Sequence, residues 1–142
     1  MSQEPSDTAQ PMISPIALDK SFLEGKGLTD GNPAEFENEN LEQEEEAKPF
    51  RVHNFHEGKI LVAVYETGPG KVHINGLPYD EFVQVLEGRL ILTPDGGETL
   101  EIKQGESVVV PKGYKGGWHM PENYRELIII NADYNWAGGE ES

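Results

Sequence analysis

The feature that most constrains this chain is a series of short β-prone segments that begins near Phe50. Val, Ile, Tyr, Phe and Thr are concentrated in these segments, and Gly, Pro and Asn separate them. No helical spacing of apolar residues competes with this pattern. Strands of this length with regular turns predict an all-β sandwich or small barrel. The predicted strands are residues 51–55, 59–67, 71–75, 82–87, 89–93, 99–103, 107–110, 117–120 and 125–131.

The N-terminal third has a different composition. Its first 48 residues carry 12 Asp and Glu against 3 Lys and Arg, and residues 35–46 include seven glutamates. We predict an acidic, largely irregular and partly disordered arm over residues 1–48, a β domain over 49–134 and a C-terminal tail over 135–142. The apolar residues of the arm, 12–18 with Phe22 and Leu23, either dock on the β domain, dock on a neighbouring subunit or stay free.

Charge and composition exclude several classes of function. The net charge of −15 repels phosphate backbones and anionic lipid surfaces, so we expect neither nucleic acid nor membrane partners. The absence of cysteine removes disulfides and thiolate metal sites. The N-terminus lacks the basic and apolar regions of a signal peptide, and no segment reaches the roughly 20 apolar residues of a membrane span. A cytoplasmic location is therefore expected.

Two spaced motifs lie inside the β-prone region. Glu81 is followed after six residues by Gly88, and Gly105 is followed after five residues by Pro111. A hairpin-sized stretch separates the two motifs. This arrangement resembles the cupin superfamily (the RmlC-like fold), which implies a small jelly-roll β-barrel.

Two longer segments narrow the resemblance. The segments DEFVQVLEG (residues 80–88) and PKGYKGGW (residues 111–118) look most like the domains of (S)-ureidoglycine aminohydrolase. That enzyme has two cupin domains, whereas this chain offers one. The resemblance implies hydrolytic chemistry on a small ureido or related compound as one alternative for function.

The resemblance also implies where a metal ion would lie. Metal-binding cupins hold the ion with two histidines and a glutamate from the first motif and a histidine from the second. In this chain Glu81 occupies the glutamate position, and no histidine occupies the others. The vacant positions fall on Ile74 and Gly76, or on Asn75 and Leu77 with the shorter spacing, and on Gly116 in the second motif, where Met120 takes the asparagine position.

Two nearby histidines offer a displaced ligand set. A bulge in the preceding loop could bring His73 next to Glu81, and His119 lies in the second motif. Together with Glu81 they would suit Mn, Fe, Ni or Zn. The alternative is that both histidines point outward, and we predict no resident cofactor.

Side-chain alternation predicts a pocket instead. If Gly116 points inward, Trp118 and Met120 share its face and His119 does not. The same argument puts Tyr79 and Glu81 on one face, where a buried carboxyl would need a partner or a raised pKa. The predicted pocket residues are Glu81, Tyr79, Trp118, His73 and Met120; no catalytic residue is assigned.

Three hypotheses for function follow. The first is a barrel that binds a small polar molecule without a metal ion. The second is a metal-dependent, ureidoglycine aminohydrolase-like enzyme with displaced ligands. The third is an interaction module whose acidic arm is the active part. Because exposed sheet edges invite association, we also predict a homodimer.

Overall fold

A computed structural model describes residues 12–31, 41–43 and 49–131, with the backbone alone for 41–43. The nine predicted strands are all present, with each end within two residues of its predicted position. A short helix and two further short strands precede them. The elements are α1 Lys20–Leu23, β1 Thr29–Asp30, β2 Leu41–Gln43, β3 Phe50–Glu57, β4 Ile60–Thr67, β5 Gly70–Asn75, β6 Glu81–Glu87, β7 Arg89–Pro94, β8 Leu100–Lys103, β9 Ser107–Val110, β10 Lys115–Met120 and β11 Tyr124–Asn131.

The strands form two antiparallel sheets. The first sheet has the order β1-β3-β4-β11-β6-β9, and the second has the order β2-β5-β10-β7-β8. The predicted all-β class is confirmed. The predicted closed barrel is corrected, because among the described strands no ladder joins one sheet to the other. The fold is an open two-sheet sandwich whose inner faces are packed together.

Alternation along the central strands separates core from surface. In β6 and β11 every second residue is buried, and the residues between are partly exposed. Both sheets contribute large apolar side chains to one core. Members from the first sheet include Leu61, Ala63, Val83, Val85, Ile128 and Ile130, and members from the second include Ile74, Leu90, Leu92, Ile102, Trp118 and Met120.

A β-bulge interrupts the pairing of β6 with β11. Arg125 lies opposite Glu87, yet the next residue, Glu126, lies opposite Val85. Leu86 of β6 therefore has no partner residue on β11. Consequently Glu87 meets Arg125 on the outer face, where Arg125 Nη1 lies 2.7 Å from Glu87 Oε1. Glu126 points into the sandwich by the regular alternation of β11.

The turn after β6 requires a glycine. Gly88 has a φ of 82°, in the left-handed region that favours glycine. A Cβ atom at this position would also lie 2.3 Å from the backbone oxygen of Asn123. The motif glycine therefore lets β6 turn tightly against the start of β11.

Part of the predicted acidic arm belongs to the sandwich. β1 pairs with β3, and β2, which falls inside the glutamate-rich run, pairs with β5. Phe22 stacks on His53 with ring centroids 3.6 Å apart, on the outer face of the first sheet. Met12 and Ile13 remain about 90% exposed, at 89% and 90%. The predictions for residues 1–11, 32–40, 44–48 and 135–142 lie outside the described residues.

No helix within the described ranges has the length and apolarity needed to cross a bilayer.

Candidate functional site

A cavity of about 170 Å³ lies between the two sheets. One water needs about 10–15 Å³ by the same kind of measure, so the space is large enough for a small organic molecule. Its wall combines aliphatic side chains, three aromatic rings, a thioether and two carboxyl groups. The lining residues are Val52, Ala63, Tyr65, Val72, Ile74, Leu77, Tyr79, Glu81, Trp118, Met120, Glu126, Ile128 and Ile130.

Glu81 is the first residue of β6 and one of the two acidic residues that line this cavity. Its neighbours across the sheet are Ile130 and Val110, and only 6% of its surface is exposed. No described residue donates a hydrogen bond to its carboxyl group or forms an ion pair with it. Burial raises the pKa of Glu81 well above the usual carboxyl range, and the like charge of Glu126 raises it further.

Glu126 is the second acidic residue of the cavity, and it was missed by the sequence reasoning. The alternation of β11, in which Ile128 and Ile130 share its face, directs Glu126 inward, where it is 4% exposed. The Tyr124 hydroxyl donates a hydrogen bond of 2.5 Å to Glu126 Oε1 and so fixes this carboxyl group. Burial raises the pKa of Glu126 to about 7, although the Tyr124 hydrogen bond acts in the opposite direction.

Two tyrosines, the buried Tyr124 and the partly buried Tyr65, lie next to the carboxyl groups and stay protonated. Tyr65 lies opposite Glu126 on the adjacent strand β4. Burial, followed by the charge of Glu126, raises the pKa of both Tyr65 and Tyr124 above the usual phenol range. Both phenols are therefore neutral hydrogen-bonding groups near neutral pH, and neither had been identified from the sequence.

Three of the aromatic and thioether residues predicted from the sequence do line the cavity. Tyr79 enters from the loop between β5 and β6, and Trp118 and Met120 enter from β10. Both β10 residues are 8% exposed, and His119 between them is partly exposed. Trp118 and Met120 therefore point inward and His119 points outward, as the alternation of β10 predicts.

His73 does not line the cavity, contrary to the predicted pocket. Its neighbours Val72 and Ile74 do, so His73 points to the opposite face of β5. There its Nε2 atom lies 3.0 Å and 3.2 Å from the two carboxylate oxygens of Asp95. The loop bulge that would have turned His73 inward is not observed, since β5 pairs with β10 without a register shift.

The displaced metal set is not assembled either. His119 lies opposite Lys71 and Ile91, on the same outer face of the second sheet as His73, while Glu81 points into the sandwich. Among the described residues, no group of three or more His, Cys, Asp or Glu side chains is arranged to hold a metal ion. The structure therefore separates the three residues that the sequence grouped.

The second-motif position of the cupin ligand set also fails to fit. A Cβ atom on Gly116 would lie 2.4 Å from the backbone oxygen of Thr93 and 2.7 Å from the Cα atom of Pro94. No side chain fits there unless β7 moves. In the first motif Ile74, or Leu77 in the shorter frame, presents an aliphatic side chain to the cavity. Two carboxyl groups without an imidazole do not match the family's metal-ligand set.

The family model of the EutQ-like cupin domain matches residues 56–126, half of the chain. A putative ethanolamine utilization protein Q from Salmonella typhimurium LT2 is 24% identical at a TM-score of 0.51, over 57% of this chain and 68% of that chain. The Clostridium difficile EutQ protein is 22% identical at a TM-score of 0.54, over 61% and 71% of the two chains.

A cupin superfamily protein from Desulfitobacterium hafniense DCB-2 is 15% identical at a TM-score of 0.51, over 67% of this chain and 97% of that chain. At these identities the solved structures show the fold alone. No curated protein sequence matches the chain. The resemblance to (S)-ureidoglycine aminohydrolase is not shown by these findings.

Proposed function

This chain belongs to the EutQ-like cupin family, and we propose that it binds a small polar molecule in its interior cavity, without a metal ion held by histidines. The observation that carries the proposal is the Glu81 carboxyl group. It is buried, it faces the cavity, and no described residue pairs with it. Burying a carboxyl without a partner destabilises a fold, so a ligand that supplies the partner accounts for its position.

The shape and chemistry of the wall support the same proposal. Apolar and aromatic side chains cover most of the cavity, and a few polar groups stand at fixed positions, as is usual in small-molecule sites. Tyr124 holds one of those groups, the Glu126 carboxyl, in place. The orientation of the Glu126 carboxyl group is therefore fixed before a ligand binds.

The metal-dependent alternative is not favoured by any placement of side chains. Its proposed ligands His73 and His119 lie on the outer face, and Gly116 leaves no room for a replacement. Nothing in the cavity identifies a hydrolytic reaction on a ureido compound. We therefore propose binding as the role of the site.

A ligand screen tests the proposal. Thermal unfolding would be followed with a chemically diverse set of sugars, amino acids, carboxylates, alcohols and ammonium compounds, and each hit would be titrated by calorimetry. In Ala63→Leu the enlarged side chain points into the cavity, and in Val62→Leu it points to the other face of β4. We expect hits to bind the wild type and Val62→Leu but not Ala63→Leu. Equal binding to Ala63→Leu, or no hit at all, would contradict the proposal.

We further propose that two copies associate through a sheet edge. β9 is an edge strand of the first sheet, and Val109 on it is 61% exposed. Such an edge is a template for pairing with another chain. Light scattering should return twice the 15.8 kDa of one chain for the wild type and a smaller mass for Val109→Lys. A wild-type mass near 15.8 kDa would reject the dimer.

A further inference from the structure

The charged groups that line the cavity are all of one sign. Glu81 and Glu126 are the carboxylic acids of the wall, and no lysine, arginine or histidine is among the lining residues that the structure describes. The arginines closest along the strands, Arg51 and Arg125, point to the outer face, where they pair with Glu66. An anion in the cavity would find no positively charged partner among the described lining residues, whereas a cation would find two carboxyl groups that can ionise to balance its charge.

The aromatic part of the wall favours the same sign. The rings of Tyr65, Tyr79 and Trp118 all border the cavity. The face of an aromatic ring attracts cations, and tryptophan does so most strongly. Carboxyl groups together with aromatic faces form the kind of surface that binds ammonium groups.

Glu81 gives an independent reason to expect a ligand rather than an internal partner. Its carboxyl group is more than nine-tenths buried and faces the cavity, and no described residue hydrogen-bonds to it. Glu126 differs because Tyr124 already donates to it. One carboxyl is thus held in position, and the other retains its full capacity to accept hydrogen bonds.

We propose that the ligand of this cavity is a small organic cation, an amine or ammonium compound whose positive charge is balanced by Glu81 and Glu126 and covered by Trp118 and the tyrosine rings. The inference rests on the proposed binding function and specifies its ligand class. The aliphatic part of such a ligand would contact the apolar side chains of the wall, including Ile74 and Ile128.

A proton balance follows from this assignment. In the free protein the pKa of Glu126 is about 7 and the pKa of Glu81 is raised, so the pair holds protons at neutral pH. A cation favours the carboxylate forms, and each displaced carboxyl proton passes to solvent while the ammonium group keeps its own. The groups facing the pair are Tyr65 from β4 and Tyr79 from the β5–β6 loop, with Tyr124 behind Glu126 on β11. The described side chains of the second sheet add no titratable group to the wall.

Calorimetry with matched probes tests the inference on the full chain. The probes are butylammonium and tetramethylammonium as cations, butan-1-ol as a neutral counterpart and butyrate as an anion. We expect the two cations to bind and the alcohol and butyrate to bind at least about tenfold more weakly. We also expect proton release, read from titrations in buffers of different ionisation enthalpy, and an affinity that rises from about pH 6 to about pH 8, across the value near 7 for Glu126.

Neutral variants locate the charge that matters. Glu81→Gln and Glu126→Gln keep the side-chain shape, and each should weaken cation binding by roughly ten- to a hundredfold. Glu98→Gln removes the same charge from an exposed turn and should change nothing. Circular dichroism of each variant would confirm that it folds.

The outcomes separate this inference from the function on which it rests. Binding of butan-1-ol or butyrate as tight as that of the cations would overturn the cation class and leave ligand binding intact. Cation binding without proton release, or unaffected by Glu81→Gln, would also overturn it. If neither cation binds, the inference fails; the broader proposal fails only if the diverse screen also yields no ligand that Ala63→Leu blocks.

Discussion

The two faces of the first sheet treat their carboxyl groups in opposite ways. On the outer face Glu66 accepts hydrogen bonds from Arg51 and Arg125, at 3.0 Å and 2.9 Å from Nε and Nη1 respectively. On the inner face Glu81 and Glu126 line a cavity to which the described residues contribute no lysine, arginine or histidine. Successive residues of β11 mark the division, since Arg125 points outward and Glu126 inward. Glu66 is thus paired with two arginines, whereas Glu81 has no described partner, and this contrast supports the proposed binding role of Glu81.

The difference extends to pKa. Burial of Glu66 acts to raise its pKa, but the hydrogen bonds and charges of Arg51 and Arg125 outweigh it, and the net shift is downward. For Glu81 and Glu126 nothing comparable offsets burial, and their pKa values rise. The outer face thus stabilises carboxylates and the inner face stabilises carboxylic acids, which gives the two faces opposite dependences of stability on pH.

The largest effect on stability is expected from removing Arg125, the cation that pairs with Glu66 and Glu87 on the outer face. Arg125→Met leaves Glu66 and Glu87 without their shared partner and breaks the hydrogen bond to the Leu23 carbonyl. Because the Arg125 side chain is only 14% exposed, we expect a loss of about 2–4 kcal/mol in the free energy of unfolding. Urea unfolding measures it.

The matched control for Arg125 is Arg89, whose pair with Glu101 is much more exposed. Arg89→Met should reduce the free energy of unfolding much less than Arg125→Met does, because solvent screens an exposed ion pair. Equal losses for the two variants would mean that the outer network does not have the structural role assigned to it.

A smaller effect on stability is expected from neutralising Glu81 and Glu126. Its pH dependence is opposite to that of the outer carboxylate Glu66. Folded Glu81 and Glu126 retain protons that the unfolded chain releases near pH 4.5, so their contribution to stability falls as the pH rises from about 4.5 through about 7. The double variant Glu81→Gln, Glu126→Gln should therefore gain on the order of 1–3 kcal/mol over wild type at about pH 8, and much less at about pH 5.

Urea unfolding at both pH values checks this, with Glu98→Gln as the exposed control. A double variant that is less stable than wild type at the higher pH would show that the inner carboxyl groups have an internal partner after all.

The smallest effect is expected from Glu66→Gln. A carboxyl whose folded pKa is depressed contributes stability above its unfolded value, near 4.5, and loses that contribution as the pH falls. We expect the variant to be less stable than wild type by on the order of 1 kcal/mol near neutral pH, with the difference shrinking in acid. A difference that grows in acid would contradict the assignment; thermal unfolding over a pH series distinguishes the two.

The strands could be predicted from the sequence because β-prone runs and turn residues are local signals. Gly88 is a good example, since its positive φ and its contact with Asn123 both follow from a tight turn that the motif predicted. Glu81 and Trp118 were placed correctly in the cavity because alternation was counted from motif positions. Whether the two sheets close into a barrel could not be predicted from local pattern, since closure depends on how the sheet edges meet; among the described strands the sheets stay separate.

Glu126 and Tyr65 were missed for an identifiable reason. β11 carries apolar residues on both faces, Leu127 and Ile129 on one and Ile128 and Ile130 on the other, so two-residue alternation gives no phase. The inward direction of Glu126 depends on which face of β11 packs against the second sheet, and this is a tertiary feature. The prediction that His73 lines the pocket requires a bulge in the loop before β5, and β5 pairs with β10 without a register shift. The homodimer, the cytoplasmic location and the absence of nucleic acid partners remain predictions.

The bulge in β6 determines on which face of the first sheet the Glu87 side chain lies. Strict alternation from Glu81 through Val85 would put Glu87 on the inner face. Because Leu86 is bulged, Glu87 instead lies on the outer face, where it pairs with Arg125. The bulge accommodates Leu86 and so keeps the interior at two carboxyl groups. Deleting Leu86 would make the pairing regular and would leave Glu87 opposite Arg125, so the number of carboxyl groups inside depends on strand geometry as well as on side-chain identity.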